Sequence, residues 1–76
     1  MAALTERSLV YRVLPAVRGW KVHVDGAGLP MSVHERKEDA IVRARMLATR
    51  EDDVVVHDDE GCVVSWYPWS LRRRVA

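Results

Sequence analysis

Hydrophobic and polar positions along this chain follow two rhythms, one of period two and one of helical period. Trp20, Val22 and Val24 alternate with Lys21 and His23 in the run WKVHV, as expected of a strand with one buried face. The preceding run from Leu9 to Leu14, LVYRVL, is β-rich and reads as ending at Pro15. The connector from Pro15 to Gly19 holds both Pro and Gly, so the two runs predict a hairpin. Asp25 to Pro30 reads as a loop. From Lys37 to Arg50, KEDAIVRARMLATR, the rhythm changes. At about 100° per residue, Ala40, Ile41, Ala44, Leu47 and Ala48 fall on one helical face. That face is mostly alanine, so the layer against it must approach closely. Acidic residues early in the segment and Arg50 at its end suit the helix dipole.

Two starts for the helix can be read. Ser32-Val33-His34-Glu35 fits the capping-box pattern, which would begin the helix at Val33. Met31 to His34 also reads as a short extended piece, with the helix beginning near Arg36, and this later start is the expectation adopted. Beyond a charged connector, Val54 to His57 is a β-branched run. Asp58 to Gly61 forms a turn in which Gly61 suits a positive φ. Cys62 to Tyr67, CVVSWY, is the last strand, stopped by Pro68.

The resulting order is β-β-α-β-β. It predicts an α+β fold of two layers, one helix packed on a four-stranded, mainly antiparallel sheet. An antiparallel strand order 2-1-3-4 would let the helix cross over one strand, with other orders left open. Residues 1–76 read as a single domain, with a loose arm at 1–8, a core at 9–68 and a tail at 69–76. A two-layer fold leaves the second sheet face uncovered, and function or self-association is expected there.

Composition narrows the classes. A chain of 76 residues is near the lower size for a self-sufficient core, but 49% hydrophobic content makes one feasible. So small a chain has little depth for a catalytic cleft. Twelve basic residues against eleven acidic ones leave a net charge of +1, so nucleic-acid binding would have to rest on local patterning. The lone Cys62 excludes an intramolecular disulfide framework and fits a reducing compartment. No apolar run approaches the roughly 18 residues of a membrane span, and the first residues lack the pattern of a signal peptide. The expected location is therefore the cytoplasm.

Several pieces stand in a familiar order: Tyr11-Arg12-Val13-Leu14-Pro15, Gly19-Trp20-Lys21-Val22, Ser32-Val33-His34 and Lys37-Glu38-Asp39-Ala40-Ile41. Ala44-Arg45, Leu47-Ala48, Val55-Val56-His57, Asp59 and Gly61 follow. Together they resemble a family of short bacterial proteins catalogued as domain of unknown function 2188, over roughly Tyr11 to Val64. The resemblance implies the β-β-α-β-β order and carries no established activity, so no functional residues transfer. Two departures stand out. Arg36 occupies the place where the family usually has a Thr or Ser before the helix, and the ending WYPWSLRRR lies outside the shared pattern.

Candidate functional residues form two groups. On the outer helix face, Val42 and Met46 stand one i,i+4 step apart beside Arg43, an adaptable apolar pair among arginines that suits a protein contact. Scattered surface apolar residues are also ordinary. At the other end, Trp66, Tyr67 and Trp69 precede Arg72, Arg73 and Arg74. Trp66 and Trp69 could join the protein contact, while Tyr67 and the three arginines could stack on bases and neutralise phosphates. The plain alternative puts Trp66 in the core and the arginines in solvent.

His23, His57, Cys62 and Asp58-Asp59-Glu60 invite a metal, but a structural zinc site needs about four ligands and one cysteine has no spaced partner. Cys62, His57 and Asp58 assemble a nucleophilic triad only on paper. Gly26-Ala27-Gly28 lacks the further Gly, the Lys and the helix start of a phosphate loop. The expectation is a non-catalytic interaction module with no metal and no cofactor, self-associating or binding protein, away from membranes. Nucleic-acid binding through the C-terminal Arg/aromatic segment and the exposed helix arginines is the alternative.

Overall fold

The computed structural model describes residues 9–48 and 52–67. Its elements run β1 (Val10–Ala16), β2 (Gly19–Val24), β3 (Ser32–His34), α1 (Lys37–Leu47), β4 (Asp53–His57) and β5 (Val63–Tyr67). They form one five-stranded mixed sheet in the order β3-β2-β1-β4-β5, with α1 on one face. The expected four-stranded sheet therefore gains a strand. Met31 to His34 is the short extended piece allowed above, and it pairs antiparallel with β2, Trp20 opposite His34 and Val22 opposite Ser32. The other four strands stand in the order 2-1-3-4 considered above, but β1 and β4 pair parallel rather than antiparallel, because the helix between them carries the chain back across the sheet, so the sheet is mixed.

The sheet folds as its alternation dictates. Tyr11, Val13, Val22, Val24, Val54 and Val56 point toward α1 and form the core with Ala40 and Ala44. The helix touches the sheet through alanine, which lets the two layers close on each other. Ile41, Leu47 and Ala48 flank that contact, and Trp20 packs at its edge with Lys37 Nζ 5.0 Å from the ring centroid. Glu38 and Asp39 occupy the first turn and Arg45 the last, in line with the dipole. Arg36 is the N-cap and supplies no side-chain bond, while Ser32 faces His34 Nε2 at 2.8 Å instead of capping the helix. Arg50 lies outside the described residues.

Pro15 does not end β1. The strand continues to Ala16, and a two-residue turn, Val17-Arg18, closes the hairpin with Ala16 opposite Gly19. The ladder to β4 stops at Val13–Val56, so beyond that point β1 has a neighbour on one side only, a setting that tolerates the missing proline N–H. Gly19 has φ +110°, and a Cβ there would strike the His34 carbonyl oxygen. Gly61, at φ +89°, closes the β4–β5 turn as expected. Asp58 Oδ1 organises that turn by accepting from the backbone amides of Glu60 and Cys62, both at 2.9 Å. The last strand begins at Val63 rather than Cys62, behind a β-bulge at Val56/His57.

Candidate functional site

The sheet face turned away from α1 is set by register. Arg12 stands opposite His23 on β2 and Val55 on β4, and Val55 stands opposite Trp66 on β5. Alternation puts these residues on the side opposite the core set. A shallow depression of about 240 Å³ opens there, lined by Val10, Arg12, Asp53, Val55, Val63 and Trp66. Val55 is buried and forms its floor, whereas Trp66 is 61% exposed and forms a wall. The Trp66 indole Nε1 donates to Asp53 Oδ2 at 3.3 Å, which fixes the ring against β4.

A polar chain runs across the same face. Arg12 Nε donates to Asp25 Oδ1 at 2.6 Å and Nη2 to Oδ2 at 3.1 Å, a bidentate pair. Arg12 Nη1 lies 3.2 Å from His57 Nε2, and His57 Nδ1 lies 2.8 Å from the Gly61 carbonyl oxygen. A carbonyl only accepts, so the ring proton is on Nδ1 and Nε2 accepts from Arg12. The chain Asp25–Arg12–His57–Gly61 thus ties the end of β2 to β1, β4 and the following turn. Hydrogen bonding to Arg12, reinforced by its charge, holds the Asp25 carboxyl below its ordinary pKa despite partial burial, and the same bond raises that of Arg12. The amides of Cys62 and Glu60 likewise hold Asp58 low. On the core side, burial and the nearby Asp52 charge raise the Tyr11 phenol.

The residues singled out from sequence do not come together. Val42 and Met46 are exposed, with Arg43, on the outer face of α1, and Trp66 is on the far side of the sheet. Tyr67 lies on the helix side of β5 with the Arg45 guanidinium 5.4 Å from its ring centroid. Trp69, Arg72, Arg73 and Arg74 lie outside the described residues. His57 bonds to Arg12 and Gly61, the Asp58 carboxylate is taken up by the turn, and Cys62 is an exposed free thiol. Among the described residues no three His, Cys, Asp or Glu side chains are placed to hold a metal ion.

Arg12, Asp25, Asp53 and Val55 were not among those candidates. The available signal was Arg12 itself, a charge inside the apolar run LVYRVL, which a central strand can hold only with partners.

A family model described as "uncharacterized protein conserved in bacteria (DUF2188)" matches residues 11–64. The chain belongs to the DUF2188 family. The matched span starts in β1, takes in the whole Asp25–Arg12–His57–Gly61 chain, and ends inside β5, before Trp66. The DUF2188 description assigns no activity. No curated protein and no solved structure matches the chain. Among the described residues no helix is long and apolar enough to cross a membrane.

Proposed function

We propose that this DUF2188 chain is a small, non-catalytic interaction module that binds protein, its own copies first, through the uncovered side of its sheet. The observation that carries the proposal is the depression on that side. Its apolar lining, Val10, Val55, Val63 and Trp66, faces outward on a platform braced by the Arg12 network. Exposed apolar surface of this kind, bordered by charge, is the anatomy of a contact patch. A cytoplasmic location is proposed with it, on the free thiol of Cys62.

The test is sedimentation of the purified chain across concentration, alone and with single- and double-stranded nucleic acid at low and moderate salt. Concentration-dependent association that ignores the nucleic acid is expected. A monomer at every concentration overturns the proposal. Nucleic-acid binding through Arg72, Arg73, Arg74 and the exposed helix arginines Arg43 and Arg45, with Trp69 or Tyr67 stacking, is the alternative, and its signature is a complex that weakens steeply with salt. Of the described residues in that alternative, Arg43 and Arg45 are exposed and the Arg45 guanidinium lies 5.4 Å from the Tyr67 ring centroid.

A further inference from the structure

His57 is buried in the polar chain on the uncovered face, and both of its ring nitrogens are engaged. Nδ1 donates to the Gly61 carbonyl oxygen at 2.8 Å, and Nε2 accepts from Arg12 Nη1 at 3.2 Å. That pattern requires the neutral ring. A proton added at Nε2 leaves the first bond intact and destroys the second. Two N–H groups, and two cations, would then face each other.

The surroundings offer the added charge little relief. On β1 the facing group is Arg12, and both oxygens of Asp25, just past β2, are already held by that same guanidinium. Register places two more basic side chains on this face from β2, His23 opposite Arg12 and Lys21 opposite Leu14. In the following turn the Asp58 carboxylate accepts from the amides of Glu60 and Cys62, while Asp59 and Glu60 are exposed. β5 meets His57 through Val63, and its sequence VVSWY holds no carboxylate and no cation. From α1, behind the sheet, the Lys37 charge acts on Asp58.

Resting on the interaction module proposed above, we infer that His57 is a proton-operated tie: the neutral ring fastens the β4–β5 turn to Arg12, and its protonation releases Arg12 and weakens the contact between copies. Asp25, Arg12 and the neutral ring sum to no net charge, so the platform as it stands is electrically balanced. The proton makes it cationic, on a face that also carries Lys21 and His23. A two-fold contact presents the same patch from both copies, so the new charge appears on both sides of the interface at once. Arg12 keeps its bidentate hold on Asp25, and a side chain about a third exposed has room to turn Nη1 away from the ring. Because Arg12 lines the depression, that movement also reshapes the apolar patch.

The test is a titration of the isotope-labelled full chain from about pH 8 to about pH 5, the range in which histidine changes charge. Two measurements are made: nitrogen NMR of the imidazole and guanidinium groups, and sedimentation across concentration. At the alkaline end the His57 proton should sit on Nδ1. As pH falls Nε2 should gain a proton, and the Arg12 guanidinium signals should shift with the same midpoint. Self-association should weaken at least about threefold at low salt, the Coulomb scale of like unit charges several ångströms apart in water.

His57→Gln, whose amide oxygen can accept from Arg12 and takes up no proton in this range, should remove the pH dependence of the Arg12 signals and most of that of association. His23→Gln should leave the Arg12 midpoint in place. A ring protonated on Nε2 at the alkaline end, Arg12 signals that ignore His57 or follow His23, or a pH dependence of association that survives His57→Gln overturns the tie. A chain that stays monomeric while Arg12 follows His57 overturns the interaction module and leaves the tie standing. The NMR titration of the unaltered chain needs no substitution, so the outcome does not depend on the folding of a variant.

Discussion

Replacing Ala44 by glutamate should remove most of the domain's stability at neutral pH. Ala44 has no exposed surface and lies in the core with Ala40, Tyr11, Val13, Val22, Val24, Val54 and Val56. Glutamate adds a methylene and a carboxylate where the helix touches the sheet, and overpacking alone costs about 1–3 kcal/mol. The carboxylate must also enter without a partner or become protonated. Raising its pKa by about 3 units through burial costs about 4 kcal/mol at neutral pH. Together these reach about 5–7 kcal/mol, against the roughly 4–11 kcal/mol expected for a domain of this size.

The two contributions separate with pH. A carboxyl whose folded pKa is raised destabilises fully above that value, and the penalty fades as pH falls through it to the unfolded pKa. Lowering the pH from about 7 to about 4 should therefore recover the electrostatic part and leave the overpacking. Ala44→Met, which overpacks without a charge, should lose about 1–3 kcal/mol at either pH. Thermal and urea melts followed by far-ultraviolet circular dichroism report all three chains. An Ala44→Glu protein that melts with the wild type would place the alanine face away from the sheet and refute the packing described here.

Gly19→Ala should lose at least about 2 kcal/mol in the same melts, because a Cβ meets the His34 carbonyl oxygen and φ +110° is strained for any L side chain. An unchanged midpoint would mean that β2 and the β3–α1 linker do not approach as described. Asp25→Asn should cost about 0.5 kcal/mol at neutral pH, the scale of a half-exposed ion pair. Asp25 has a depressed folded pKa, so its contribution is present above the unfolded carboxylate value and fades as pH falls through the folded one. The difference between wild type and Asp25→Asn should close as pH falls through the depressed folded pKa of Asp25. A difference that instead vanished at high salt and neutral pH would show a screened charge effect rather than a hydrogen-bonded pair.

Much of the fold could be read from neighbours in sequence. The alternation of Trp20 to Val24 defined which side of β2 is buried, because strand geometry sends successive side chains to opposite faces. The spacing of Ala40 and Ala44 marked the buried helix stripe for the corresponding reason, and Gly61 marked a turn that needs a positive φ. Within 11–64 these patterns suffice to recognise DUF2188 membership. All of them arise from interactions along a few residues of chain, so the local sequence carries them.

The rest depends on which distant residues meet. Three residues, Ser32 to His34, are too few to show a period, and only the edge of β2 turns them into a strand. Pro15 stays within β1 because β4 pairs no farther than Val13. Arg12 reads as one more outward-facing residue until the sheet brings it to Asp25, 13 positions on, and to His57, 45 positions on. Val42, Met46 and Trp66 all looked like contact residues, yet the helix carries the first two to one side of the molecule and β5 carries the third to the other. Periodicity fixes the faces of each element, since it is a property of the backbone. Strand order and the groups that share a surface follow from long-range packing, and only the assembled tertiary structure decides them.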